Sequence, residues 1–233
     1  MGHSPSEVRC PRSARSSRVS GFGSRRWRGR AAGAVIACAV MFLAGCGGSG
    51  GSAADAGAPV IRGDVVSYAL GDTGPGGGVV FYSSSGFSSP GSACDPSCVG
   101  LEALTSEGGP VAWCSVTRTA FAPNGTAIGT GKANTQSMMT GGCTSGAGYS
   151  AANTDSGGFN DWYLPSSDEL YALWKKRKLP ALANTFGDGT KWSSSQDADF
   201  PAQTAKTLGW PMGSWASVDK ANTTNYFRVI RAF

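Results

Sequence analysis

The sequence predicts an α+β domain of short, mainly antiparallel strands, two helices and long loops. Three observations lead there. Short apolar runs are punctuated by Gly and Pro clusters, one amphipathic helix has clear start and stop signals, and four cysteines are spread through the loop regions.

The first strand is read at Val65 to Leu70. Gly71-Asp-Thr-Gly-Pro-Gly-Gly-Gly78 follows as a turn and Val79 to Tyr82 as a returning strand. Those glycines fit a hairpin loop needing positive φ; a phosphate loop would require a helix directly after them. Gly129-Thr-Gly-Lys132 also misses a phosphate-loop spacing, with Thr at 126 and Ala at 133. Further strands are expected at Leu101–Leu104, Val111–Cys114, Lys191–Ser194 and Gly213–Ser217, and the chain ends on the strand-like run Tyr226 to Phe233. A weak helix is read over Ala133 to Met139. The strong one starts at Ser166, which with Glu169 forms a capping box. Leu170, Leu173 and Trp174 make its apolar stripe, Lys175, Lys176, Arg177 and Lys178 complement the helix dipole at its end, and Pro180 stops it.

The chain has 233 residues and a formal net charge of +5, but the charge is unevenly placed. Eight of its 20 Lys and Arg and one of its 15 Asp and Glu fall in residues 1–45, so residues 46–233 carry 12 cations against 14 anions, a net −2. Nucleic acid is therefore not an expected partner, because the basic footprint must lie on the folded part. The single histidine is His3, which removes Ser-His-Asp and Cys-His catalysis from everything downstream. No metal is expected.

Residues 31–44 are an uncharged, mostly apolar run, too short for a membrane-crossing helix, which needs about 20 residues. Arginines precede it and small residues follow, the layout of an export signal. Leu43-Ala44-Gly45-Cys46 resembles the bacterial lipobox. That resemblance implies cleavage before Cys46, lipid on its thiol, and a protein held at the outer face of the bacterial cell membrane. The expected organisation is a signal peptide over 1–45, a lipidated Cys46 with a flexible Gly/Ser/Ala linker over 46–61, and one domain over 62–233.

Four cysteines remain in that domain: Cys94, Cys98, Cys114 and Cys143. An exported domain with an even number implies two disulfides, with three connectivities open. Cys94–Cys98 with Cys114–Cys143 is the favoured pairing. A four-thiolate metal site is the alternative, and the wide spacing of Cys114 and Cys143 speaks against it.

Several segments in order resemble the DUF1566 family, the carboxyl-terminal domain of the Legionella collagen-like adhesin (Lcl C-terminal domain). They are Gly71-Asp-Thr-Gly-Pro-Gly-Gly-Gly-Val-Val-Phe-Tyr82, Leu101-Glu-Ala103, Trp113-Cys114, Ile128-Gly-Thr-Gly-Lys-Ala-Asn-Thr135, Asp161-Trp-Tyr-Leu-Pro-Ser166 with Glu169-Leu170, Trp192-Ser-Ser-Ser195, and Arg228 to Phe233. The chain departs from the family at Val229 and Ile230, where the family commonly has Pro between the arginines, and it has no collagen-like tract. The resemblance implies a C-type-lectin-like fold with disulfide-pinned loops, and a surface adhesion module for glycans or sulfated polysaccharides.

Asp161, Trp210, Trp215, Asn225, Arg228 and Arg231 are the candidate ligand residues: aromatics to stack on sugar rings, and polar groups to take hydroxyls or anions. The lectin-like fold allows calcium, but the Glu-Pro-Asn and Gln-Pro-Asp signatures of sugar–calcium sites are missing. A structural envelope lipoprotein with a protein partner is the second reading. An enzyme like the formylglycine-generating one, using Asp161, Asp168 and Glu169, is the third. It is disfavoured because capping and the helix dipole explain two of those carboxylates and the cysteines are committed to disulfides.

Overall fold

The computed structural model describes residues 60–62 and 65–233. The leader, Cys46 and the linker through residue 59 lie outside the described residues. Among the described residues, no helix is long and apolar enough to cross a membrane.

The domain is α+β, with every strand pair antiparallel. β1 (Val60–Arg62) pairs only with β2 (Val65–Ser67). β3 (Val79–Phe87), β4 (Cys98–Ala103) and β8 (Ile230–Ala232) form a three-stranded sheet in that order, so the chain end returns beside β4. β5 (Gly189–Gln196), β6 (Thr204–Trp210) and β7 (Trp215–Asp219) form a second meander, with β7 at its edge. Between them come α1 (Gly131–Thr140), α2 (Ala147–Ala152) and α3 (Ser167–Lys175).

α3 begins where the local signals put it. The Ser166 side chain accepts from the Glu169 amide, and the Glu169 carboxylate accepts from the Ser166 amide at 2.7 Å. Leu170 and Leu173 are fully buried and pack with Phe81, Leu101, Tyr163 and Ile230 in one core. A second core gathers Trp113, Met138, Trp162, Leu164, Trp192 and Phe227. Buried tryptophans find polar partners: Trp113 Nε1 donates to the Ser193 carbonyl at 2.7 Å and Trp192 Nε1 to that of Val111 at 2.9 Å.

The structure corrects several expectations. A third helix, α2, is present; its sequence, Ala-Gly-Tyr-Ser-Ala-Ala, has too few apolar side chains to show a stripe, and Gly148 packs under Met138. β6 went unpredicted because alanine and threonine fill its inward positions at Ala205 and Thr207. The run Val111–Cys114 is not a strand: its amides bond to scattered carbonyls, Val111 to Asn225 and Trp113 to Lys220, so no ladder forms. The carboxyl-terminal run is regular only over Ile230–Ala232. The turn at 71–78 is closed by Gly71 N–H to the Val80 carbonyl and Val80 N–H to that of Asp72, yet β3 continues to Phe87 and takes β4 as its partner.

Cys94 is joined to Cys98 and Cys114 to Cys143.

Candidate functional site

Most candidate residues on the terminal strand turn inward. Arg228 is fully buried, with Nη1 donating to the Leu104 carbonyl at 2.9 Å, Nη2 donating to that of Thr185, and its guanidinium over the Phe186 ring. Asn225 is buried and its side-chain oxygen accepts from the Thr190 hydroxyl. Trp210 is buried and stacks on Phe186 with ring centres 4.3 Å apart. Arg231 is buried between two carboxylates: Nη1 lies 3.0 Å from Glu102 Oε1, and Nε donates to Asp161. Asp161, Trp210, Asn225, Arg228 and Arg231 thus make internal contacts that help hold the fold together. A buried arginine is tolerable only when paired and hydrogen-bonded, and each of these meets internal acceptors.

The glycine-rich segments explain themselves in the same region. Gly76 N–H donates to both Glu102 carboxylate oxygens, at 2.9 and 3.1 Å, and Gly78 N–H donates to Oε2 at 2.9 Å. A Cβ on Gly76 would stand 2.7 Å from Glu102 Oε1 and 3.0 Å from the Trp162 ring. Positive φ is needed at Gly71 and Gly77; close approach to Glu102 is needed at Gly74, Gly76 and Gly78. The second segment does the same for Glu169. Gly129 N–H donates to its Oε1 at 2.8 Å, and a Cβ on Gly131 would fall 2.2 Å from its Oε2. Both loops are therefore anion cradles already filled by the protein's own carboxylates. Burial raises the Glu169 pKa to about 7 against the opposing pull of the Ser166 and Gly129 amides.

Lys220 is another buried cation. Its ammonium donates to the Thr119 and Pro201 carbonyls and to Gln196 Oε1, and lies 4.5 Å from the Trp113 ring centre. Burial pushes its pKa down to about 8. The three carboxylates of the enzymatic reading do not converge. Asp161 pairs with Arg231, Glu169 is enclosed by its cap, and Asp168 is exposed on α3. Among the described residues, no group of three or more His, Cys, Asp or Glu is placed to hold a metal ion.

Trp215 behaves differently. It sits on the edge strand β7 with 42% of its surface exposed, beside Tyr171 of α3, which is 38% exposed. The two rings are 6.4 Å apart and flank a groove of about 190 Å3, completed by Thr126, Ser167, Asp168 and Lys206. Tyr171 is held rigid by stacking on Trp174 at 5.3 Å, and Trp174 is fixed by its indole N–H bond to the Pro211 carbonyl and by Arg177 lying over its ring. The Lys175 ammonium lies 5.1 Å from the Tyr171 ring centre. The Tyr171 hydroxyl has no hydrogen-bond partner among the described residues. A firm aromatic wall, a carboxylate, an amine and two hydroxyls thus face one solvent-open groove. Sequence reasoning found Trp215 but missed Tyr171, Asp168 and Lys206 as its companions. Tyr171 lies one residue after Leu170 of the apolar stripe, so an outward position for it was readable.

No protein-family model matches the chain, and no curated protein matches it. Among solved structures, the chain is similar to a fimbrial protein from Bacteroides ovatus ATCC 8483, at 18% identity and a TM-score of 0.34. The match covers 59% of this chain and 36% of that protein, so the chain spans about a third of its length.

Proposed function

We propose that the chain is a lipid-anchored extracellular binding module, C-type-lectin-like in fold, that takes a glycan in the groove between α3 and β7. The observation that carries this reading is the exposed Trp215–Tyr171 pair flanking a polar groove. Sugar rings have apolar C–H faces and a rim of hydroxyls. An aromatic wall matches the faces; Asp168, Lys206, Ser167 and Thr126 supply acceptors and donors for the rim. The lipobox-like Cys46 and the Gly/Ser/Ala linker support a tethered location, two disulfides suit an oxidising compartment, and the ordered resemblance to the DUF1566 family supports an adhesive role. A net charge of −2 disfavours polyanions in bulk, but Lys206 lines this groove and Lys175 and Lys176 line the adjoining one on α3, which favours sulfated glycans among the ligands.

A glycan array probed with the purified domain, with and without calcium, tests the reading. Binding to a restricted set of glycans, lost in Trp215→Ala while unfolding remains cooperative, is the expected outcome. Absence of binding to every neutral and sulfated glycan would leave a protein-binding envelope lipoprotein as the better account, with the Met212 hairpin tip, 82% exposed, as its contact.

A further inference from the structure

The groove at Trp215 is one of two that meet on α3. The second, of about 450 Å3, lies on the other side of the helix and is lined by Phe81, Tyr82, Ile128, Ala172, Lys175 and Lys176. Asp168 and Tyr171 line both grooves. They are three residues apart, hence neighbours one turn along the exposed face of the helix, and both are exposed. α3 packs on β5 and β6 on one flank and on β3 on the other, so the Asp168–Tyr171 ridge separates a β7-side groove from a β3-side groove.

We infer that these grooves are two subsites of one saddle, which takes an internal stretch of a linear glycan across the exposed face of α3. This inference rests on the function proposed above and specifies its ligand as a chain of at least two consecutive sugars. One sugar lies against Trp215 with Lys206 and Ser167 at its hydroxyls. The linkage crosses the ridge, where the exposed Tyr171 and the Asp168 carboxylate face the bridging region. The next sugar lies along Tyr82 and Ile128, within reach of Lys175 and Lys176. A site built for a single terminal sugar would need only the smaller groove, and nothing in that role would use the ridge residues on both of their sides.

The test is a chain-length series measured by isothermal titration calorimetry. The probes are cello-oligosaccharides of one to six residues and heparin-derived oligosaccharides of two to eight, with the full disulfide-bonded domain. The saddle predicts affinity rising at least about tenfold from the shortest to a four-residue probe, then levelling. In the cello series, Lys175→Ala and Tyr82→Ala should reduce the longer probes to the affinity of the single sugar, leaving that of the single sugar unchanged; thermal unfolding checks that each variant is folded. Equal affinity at all lengths, with binding still lost in Trp215→Ala, would overturn the saddle but leave the glycan reading standing. No binding of either series by the folded domain would overturn both.

Discussion

Two regions of this domain use the same residue types for opposite purposes. Around β4 and β8, Glu102, Asp161 and Arg231 are locked together under the glycine loop, with the Phe159 ring 3.7 Å from the guanidinium. Around α3 and β7, Asp168, Lys175 and Lys206 stand with Tyr171 and Trp215 at two adjoining solvent-open grooves. Charge in the first region is spent mostly on internal ion pairs and loop amides. Charge in the second stands beside stacked aromatics and makes no ion pair among the described residues. Recognition is therefore expected where polar groups are ordered but incompletely paired, and not where they are most numerous.

The largest effect expected from breaking this contrast is on the internal side. Glu102→Ala leaves Arg231 buried with half its partners and two loop amides unsatisfied, so about 3–5 kcal/mol of stability should be lost in urea unfolding. Removing the link between Cys114 and Cys143, which are 29 residues apart, by a double substitution to serine should cost about 3–4 kcal/mol in the chain-entropy model, again read by urea unfolding.

Glu169 gives a pH signature. Its folded pKa, about 7, lies above the ordinary value of 4.5, so between those limits the folded state holds a proton that the unfolded state has released. Its stabilising contribution is complete below the unfolded pKa and is lost as pH rises through the folded one, on the order of 3 kcal/mol across the window. Midpoints measured from pH 4 to 8 should fall with pH in the parent and flatten in Glu169→Gln; a parent midpoint that rises steadily across that window would contradict the assignment. The smallest expected effect on stability is Trp215→Ala, about 1–2 kcal/mol, since the ring sits on an edge strand with 42% of its surface exposed. That variant sharpens the comparison, because glycan binding should vanish while unfolding stays cooperative and shifts less than in Glu102→Ala.

The sequence made local features legible and left distant pairings hidden. The capping box and stripe of α3 are encoded within a few residues, and the helix starts at Ser167 just after its Ser166 cap. The strand at Lys191–Ser194 was likewise readable, since Trp192 stands in a short run bounded by glycine. Arg228 and Arg231 looked like free cations because their partners, Leu104 and Glu102, lie 124 and 129 residues away. Trp210 and Trp215 read alike in sequence; the stacking of Trp210 on Phe186 and the edge position of β7 separate them. The glycine loops were readable as turns, but their role as carboxylate cradles depends on β4 and α3 being carried beneath them. Of the candidate groove, one aromatic was visible, and the rest came from packing.

Nitrogen-edited NMR of the isotope-labelled domain, titrated with the glycan that binds best on the array, tests the central claim most directly. The account predicts shifts in the Trp215 indole signal and the amides of Ser167, Asp168, Tyr171 and Lys206, while Trp210, Asn225, Arg228 and Arg231 stay in place. Perturbations centred on Arg228 and Arg231, with Trp215 and Tyr171 unmoved, would contradict it.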